Sequence, residues 1–532
     1  MRRRALLASL ASGVAGLAGC STLGDASSGG PDTEPPGSDP STGSGTITAA
    51  PVPTAPPGTA IGGRTGRPTD RGTDDEPRRP DSIASVIDLR TGPRTYAFAP
   101  TTVPTDGDAT VTLRFDRTAT AEHPARLVGR LGNDTDSDVT VQLNRIPAVG
   151  RVHARGSDDR DDTATLHLAP TTENELAEAV PDLARADDGR WVAASVGDWM
   201  TDRVRLEPGD LHRLAYAVVG GPDSAGVPTG TYAFTGDRDA RITVWDTTSP
   251  GPEAESRFAG VSVPTPRRGD PDGDGRSVQW YHEADRTTPV FVRPSTERLE
   301  LDGHVTFTVV NHSREGLRCG GWNVYKLVDG EWFYLGPRVQ PAVCQWLAPG
   351  ARAEWTLRAL NGALPSRTGR FVGYTRAHLG GGRYGVVAGY GHRADASAAL
   401  VELAGPPVEV VPTDGTTAER DGDEVTVTTA RYGDGEFPSD AAFAVKRADE
   451  TDGDAERVIP EQLMAERTLG PPNGLRNALP FFDPEVERVV VRTDENVRNW
   501  VLPEDGSERR FRLRDETYAV TDATEGDGET PA

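Results

Sequence analysis

Two stretches decide how this chain folds: "ARLVGRLGNDTDSDVTVQL" at residues 125–143 and "VTFTVVNHSREGL" at residues 305–317. Each opens with apolar and polar residues in alternation, the period of a strand that buries one face. Each then breaks at an Asn, Asn133 or Asn311, followed two residues later by a hydroxyl and further turn residues. The same alternation runs through "TVTLRF" (110–115), "HRLAYAVV" (212–219), "GTYAF" (230–234) and "ARITVW" (240–245). Short strands at regular spacing, separated by Gly, Pro, Asn and Asp, predict an antiparallel sandwich or barrel.

The pattern occurs twice. "LEPGDLHRLAY" (206–216) is echoed by "LAPGARAEWTL" (347–357), and "GTYAF" by "GRFVGY" (369–374). A Pro-Gly turn before an alternating strand, then Gly with a nearby aromatic, is a device of Ig-like sandwiches. The expected fold is therefore mainly β, with two Ig-like antiparallel β-sandwiches at residues 81–265 and 277–412. Residues 424–521 read differently. "EVTVTTARY" (424–432) and "AAFAVKR" (441–447) are strand-like, "IPEQLMAER" (459–467) places Pro at a helix start, and "VERVVVRTD" (486–494) reads as a buried strand. "ERRFRLRDETYAVT" (508–521) reads as a hairpin. This segment is expected to be a small α+β domain, followed by an acidic tail at 522–532.

At 532 residues the chain is too long for one core. Its net charge is −24, from 81 acidic against 57 basic residues, and Lys occurs only at Lys326 and Lys446. A carboxylate-rich, lysine-poor surface suits molar salt, where the screening length falls to about 3 Å and like charges repel little. A GC-rich genome that favours Arg codons is the alternative source of the bias. In either case, nucleic acid is excluded as a partner, because it demands a basic footprint.

The chain begins "MRRRALLASLASGVAGLAGC", three Arg and then an apolar run too short for a membrane span, closed by small residues and Cys20. Residues 1–20 are similar to a lipoprotein signal peptide with Cys20 as the lipidated residue, and the paired Arg resemble a twin-arginine export signal. The alternative, a buried first helix, lacks a polar face. Residues 21–80, rich in Pro, Gly, Ser and Thr, read as a disordered tether, whether bare or carrying O-linked sugar.

The Asn turn, "DDGRW" (187–191), "LEPGD" (206–210) and "PTGTY" (228–232) resemble the bacterial proteinase-inhibitor-like Ig fold. "VYKLVDGEWFYLGP" (324–337) is similar to bacterial Ig-like modules with an Asp-Gly-x-Trp hairpin. Taken whole, the chain resembles a family of haloarchaeal lipoproteins exported by the twin-arginine route. That resemblance implies a lipid-anchored protein on the extracellular side of the cell membrane, acting as a structural or binding module toward a surface protein or polysaccharide. Two alternatives stand beside it: an extracytoplasmic hydrolase with its site between domains, and a proteinase inhibitor, which the resemblance alone suggests.

Other motifs carry weaker chemistry. Cys319 and Cys344 are an even pair in an exported domain and read as a disulfide closing a loop of about 25 residues, with a redox or metal pair as the rival. Asn133 and Asn311 both fit the N-glycosylation pattern, and Asn is equally favoured there as a turn residue. Asp270, Asp272 and Asp274 form half a calcium loop, but Tyr281 stands where its last acidic ligand belongs, so an acidic linker is the competing reading. Gly380, Gly382 and Gly385 have dinucleotide-loop spacing but lie between strands, which predicts a hairpin tip. Trp322, Trp332, Trp346 and Trp355 cluster as core packing or as sugar-stacking edges. No His falls in HExxH and no nucleophile elbow occurs, so no catalytic residue and no cofactor is expected.

Overall fold

The computed structural model describes residues 83–523, apart from 106–107, 157–164, 223–225, 235–239, 267–276, 320, 338–345, 366–370, 392–394, 434–438, 450–454, 466–473 and 503–506. All of the described residues belong to one compact unit. It is mainly β, built from several sheets, one of them curled into a half-barrel.

Each sheet draws its strands from one stretch of sequence. Within 85–246, Ala125–Asn133 lies between Ala109–Arg117 and Leu211–Gly220. The path continues through Thr165–Pro170, His153–Gly156, Gly230–Phe234, Ala240–Asp246 and Arg94–Ala99 to Ser85–Asp88, each pair antiparallel. Its alternate residues, among them Val111, Leu113, Leu127 and Leu131, enter a core with Phe98, Tyr216, Tyr232 and Phe234. Within 277–404, Gly303–Asn311 pairs with Val290–Pro294 and Arg352–Ala359. A facing set runs from Ser277–Trp280 through Asp395–Ala404, Gly382–Val387 and Asn323–Val328 to Glu331–Gly336. The third sheet, seven strands from Thr417–Asp421 to Glu516–Asp522, starts ahead of residue 424.

The stretches 125–143 and 305–317 share one construction at their Asn. Asn133 and Asn311 are fully buried. Asn133 Nδ2 donates to the carbonyls of Ser137 (2.8 Å) and Leu206 (3.2 Å), while its Oδ1 accepts from the Thr135 amide and hydroxyl. Asn311 Nδ2 donates to Glu315 O (2.8 Å), Leu347 O and Ala348 O (both 3.1 Å), and its Oδ1 accepts from the Ser313 amide and hydroxyl. Both Asn carbonyls accept from the Gly of a Pro-Gly turn, Gly209 or Gly350, held at φ +80° and +74°. The hydroxyl two residues on is thus part of a turn. A buried Nδ2 bonded to two or three carbonyls supports the turn reading of Asn133 and Asn311 over their reading as glycosylation sites.

A second device also repeats, though not where sequence echo put it. The counterpart of Gly230-Thr-Tyr232 is Gly382-Arg-Tyr384, not residues 369–374. The two Gly have positive φ, +151° and +140°, and both Tyr hydroxyls donate to a carbonyl four residues back, Pro228 O at 2.9 Å and Gly380 O at 2.7 Å. The expected hairpin tip at Gly380–Gly385 is corrected as well: Gly382 and Gly385 lie inside the strand Gly382–Val387. A Cβ on Gly385 would fall 2.9 Å from Trp332 and 3.0 Å from Trp280, so this glycine makes room for their stacked rings. The helix expected over 459–467 contracts to Pro460–Leu463, and a helix at Glu495–Val501, capped by the Asp494 carboxylate on the Val497 amide at 2.8 Å, follows the strand Arg488–Asp494.

Packing joins what the sheets keep apart. Gly350 lies against the strand Ala240–Asp246, where a Cβ would meet Thr243 at 2.7 Å and Trp245 at 3.1 Å. Trp245 stacks on His312 at 5.4 Å, and Arg314 pairs with Asp88 at 2.6 Å. Toward the third sheet, buried Lys326 pairs with buried Glu461, whose backbone carbonyl accepts from Arg376 at 3.0 Å. Arg457 pairs with Asp329 and Glu331 and lies over Phe333.

Replacing Asn311 by Ala removes all five of its side-chain hydrogen bonds, at about 0.5–1.5 kcal/mol each, although Leu347 O and Ala348 O keep the amides of Leu317 and Ala351 as donors. The Asn311→Ala variant is therefore expected to unfold at a clearly lower denaturant midpoint, with stability reduced by about 3 kcal/mol. A midpoint within error of the parent would show that the amide clamps nothing. Glycopeptide mass spectrometry is expected to find Asn133 and Asn311 bare.

Candidate ligand-binding cleft

Where the Leu347–Gly350 turn meets the first block, the packing leaves a cleft of about 340 Å³. Its walls are Ile83, Ala99–Pro100 and Arg241 on one side, and Trp346–Ala348, Ala351–Ala353 and Tyr390 on the other. The opening exists because the residues facing it are small: Ala99, Ala348, Ala351 and Ala353 supply only methyl groups. Its volume is at the small end of ligand sites.

The polar chemistry of the cleft comes from four side chains. Arg241 sits on the strand Ala240–Asp246, opposite Ala99, and makes no ion pair among the described residues. Arg352 begins the strand Arg352–Ala359. Tyr390 lies on the short strand Tyr390–Gly391 that pairs with Arg318–Cys319, and partial burial pushes its phenol above the usual range. Trp346 is 47 % exposed, an unusual state for the largest apolar side chain. In a chain with 81 acidic residues, no carboxylate lines this cleft among the described residues. A guanidinium such as that of Arg241, beside two aromatic rings, can grip a carboxylate or sulfate in a bidentate fork while a ring stacks on an apolar face.

The other three Trp of that cluster are packed inward. Trp322 stacks on Trp355 at 5.4 Å, Trp355 on Tyr374 at 5.8 Å, and Trp332 on Trp280 at 5.5 Å. Among the tyrosines beside the glycine run, Tyr384 is fully buried, and Tyr390 faces the cleft. Cys20, Cys344 and the three acids Asp270, Asp272 and Asp274 lie outside the described residues. Cys319 is described only by its strand pairing; two residues before it, Leu317 exchanges backbone hydrogen bonds with Leu347 at 2.8 and 3.2 Å. Among the described residues no helix is long and apolar enough to cross a membrane, and no group of three or more His, Cys, Asp or Glu is placed to hold a metal ion.

The fold also assembles a histidine pair that the sequence alone does not reveal. His153 and His167 sit directly opposite each other in the hairpin of His153–Gly156 and Thr165–Pro170, with their Nδ1 atoms 2.8 Å apart. Trp199 meets both rings edge-on, at 5.1 and 6.2 Å. Burial, reinforced by the neighbouring His153, pushes His167 down to about 4, and burial also lowers His153. Both imidazoles are therefore neutral at ordinary pH. The signal is present as two His on adjacent alternating segments, but only the register brings them together.

No family model and no curated protein matches the chain. Solved structures it resembles include a polysaccharide lyase (TM-score 0.12, 9 % identity, 58 % of this chain on 36 % of that one). A red sea bream transglutaminase is similar at a TM-score of 0.11 and 9 % identity, over 55 % of this chain and 31 % of that one. The chain thus spans about a third of each, and likenesses this slight do not extend to the arrangement of the sheets.

Proposed function

We propose that this protein is a lipid-anchored binding module of a halophile cell surface, which captures an acidic sugar unit of a polysaccharide in the Trp346 cleft. The observation that carries the reading is the lining: exposed Trp346 and half-buried Tyr390 beside Arg241 and Arg352, with no carboxylate among the described lining residues, on a chain of net charge −24. Such a site repels cations and welcomes a uronate or sulfate ester with a ring to stack. In this reading the first two blocks are Ig-like sandwiches, supported by the repeated Asn clamp and by the Tyr232 and Tyr384 hydroxyls bonding back to Pro228 and Gly380, the manner of a tyrosine corner. The third block is a small α+β domain docked through Lys326 and Glu461.

The test is binding of the purified protein to polygalacturonate, with dextran as the neutral control. Trp346→Ala is expected to weaken polygalacturonate binding about two- to tenfold, the loss of a stacking contact worth about 0.5–1.5 kcal/mol. Arg241→Gln is expected to weaken it comparably and to flatten its salt dependence. Neither should shift the thermal midpoint, and dextran should not bind. Parent-like affinity in both variants would remove the cleft from the proposal.

The anchor and the bridge are proposed with it. Cys20, after a short apolar run, is the lipid attachment site; Cys20→Ser is expected to shift the protein out of the detergent phase, and unchanged partitioning would refute the anchor. Cys319 and Cys344 are proposed to be joined, supported by the backbone pairing of Leu317 with Leu347 beside them. Thiol labelling of the unfolded, unreduced chain is expected to find neither residue free; labelling of both would refute the bridge.

A further inference from the structure

The geometry points to a surface site for a divalent transition ion of the copper or zinc type, held between the Nδ1 atoms of His153 and His167. Three observations support it. The two nitrogens already face each other at 2.8 Å across one hairpin register. With metal–nitrogen distances of about 2.0–2.1 Å and a tetrahedral angle, they need to separate only to about 3.3 Å. His153 is the exposed partner, so a small rotation of its ring provides that half ångström.

The second observation is orientation. His153 Nε2 lies 3.2 Å from the Gly197 carbonyl, and its N–H donates there. A metal-binding imidazole is held in this way, with its far nitrogen protonated and tied to a carbonyl so that the near one presents its lone pair. His167 must shift its proton from Nδ1 to Nε2 to do the same, so binding releases no proton. Its Nε2 edge is kept open by Gly221, where a Cβ would come within 3.1 Å of Nε2 and 2.4 Å of Thr165 Oγ1.

The third is the setting. Trp199 walls the pair on one side, and the exposed Asp198 carboxylate beside it acts on His153 by its charge. Two imidazoles, His153 exposed and His167 buried, with no third ligating side chain among the described residues, favour borderline ions, with Cu²⁺ bound more tightly than Zn²⁺. A hard ion such as Ca²⁺ would go instead to the carboxylates elsewhere on this acidic surface.

The experiment is titration of chelator-stripped, purified full-length protein with Cu²⁺ supplied as its glycine complex, which suppresses weak carboxylate binding. The first equivalent is expected to show electron-paramagnetic-resonance splitting from two nitrogens and to quench part of the tryptophan fluorescence. His153→Ala, an exposed substitution that leaves the core intact, is expected to lower affinity at least tenfold and to abolish the two-nitrogen signal. His167→Gln is expected to do the same, and Trp199→Phe to keep the binding while losing most of the quench. Oxygen-only coordination of the first equivalent, or unchanged affinity in His153→Ala, would overturn the site.

Discussion

The side-chain amide of Asn311 makes five hydrogen bonds at one point in the interior, and much of the molecule is arranged around it. A strand that ends inside a protein leaves backbone groups that water cannot reach. Asn311 satisfies them on both sides, closing its own turn through Ser313 and Glu315 and holding the Leu347–Gly350 turn through two carbonyls. That second turn is the surface that meets the first block, with Gly350 against Thr243 and Trp245. It also carries Trp346, Leu347 and Ala348 into the cleft wall. One buried amide therefore sets a turn, a contact between blocks and the position of the proposed ligand site. Asn133 performs the first of these tasks in the first block, which is why the two segments read alike.

The strands are legible in the sequence because alternation is a local property. Residues 230–234 coincide with a strand, and 110–115, 212–219 and 240–245 each lie within one. The helix Glu495–Val501 is harder to see, because the apolar run before it is a strand and the two share no break. Its signal is Asp494 as a cap, with Val497 and Val501 one turn apart on the buried face. The Asn motifs are visible as turns, but their burial is not, since a glycosylation site and a buried clamp share the same three letters. The cleft is invisible for a plainer reason. Ile83, Arg241, Trp346 and Tyr390 come from four distant places, and no window of sequence contains them.

Lys326 shows how composition and packing interact. The chain has two lysines, and one is buried with Glu461 between the second block and the third. Burying both charges is costly, and the pair is sustained by further bonds, from the Gly380 amide to the carboxylate at 3.3 Å and from Arg376 to the backbone carbonyl. A pair of this kind fixes one docking geometry more than it adds stability, because a misplaced partner leaves an unpaired charge inside. The neighbouring surface contacts of Arg457 are exposed on their acidic side and contribute less.

The lining of the cleft also fits the salt in which the protein is proposed to work. At molar ionic strength a charge is screened within about 3 Å, so an arginine cannot attract a distant polyanion. What survives is direct contact: a guanidinium fork closed on a carboxylate, and a ring laid on an apolar sugar face. Lysine, a hydrated point charge that acts mostly through its field, would lose more in such a medium than arginine, whose planar fork fits its partner. The proposed recognition by Trp346 beside Arg241 and Arg352 would thus depend little on long-range electrostatics. The acidic exterior, which would repel a polyanion in dilute buffer, is screened under the same conditions, so the cleft and the surface charge are compatible only at high salt. Under the proposed function, the same physics would reconcile a positive, aromatic site with a chain of net charge −24.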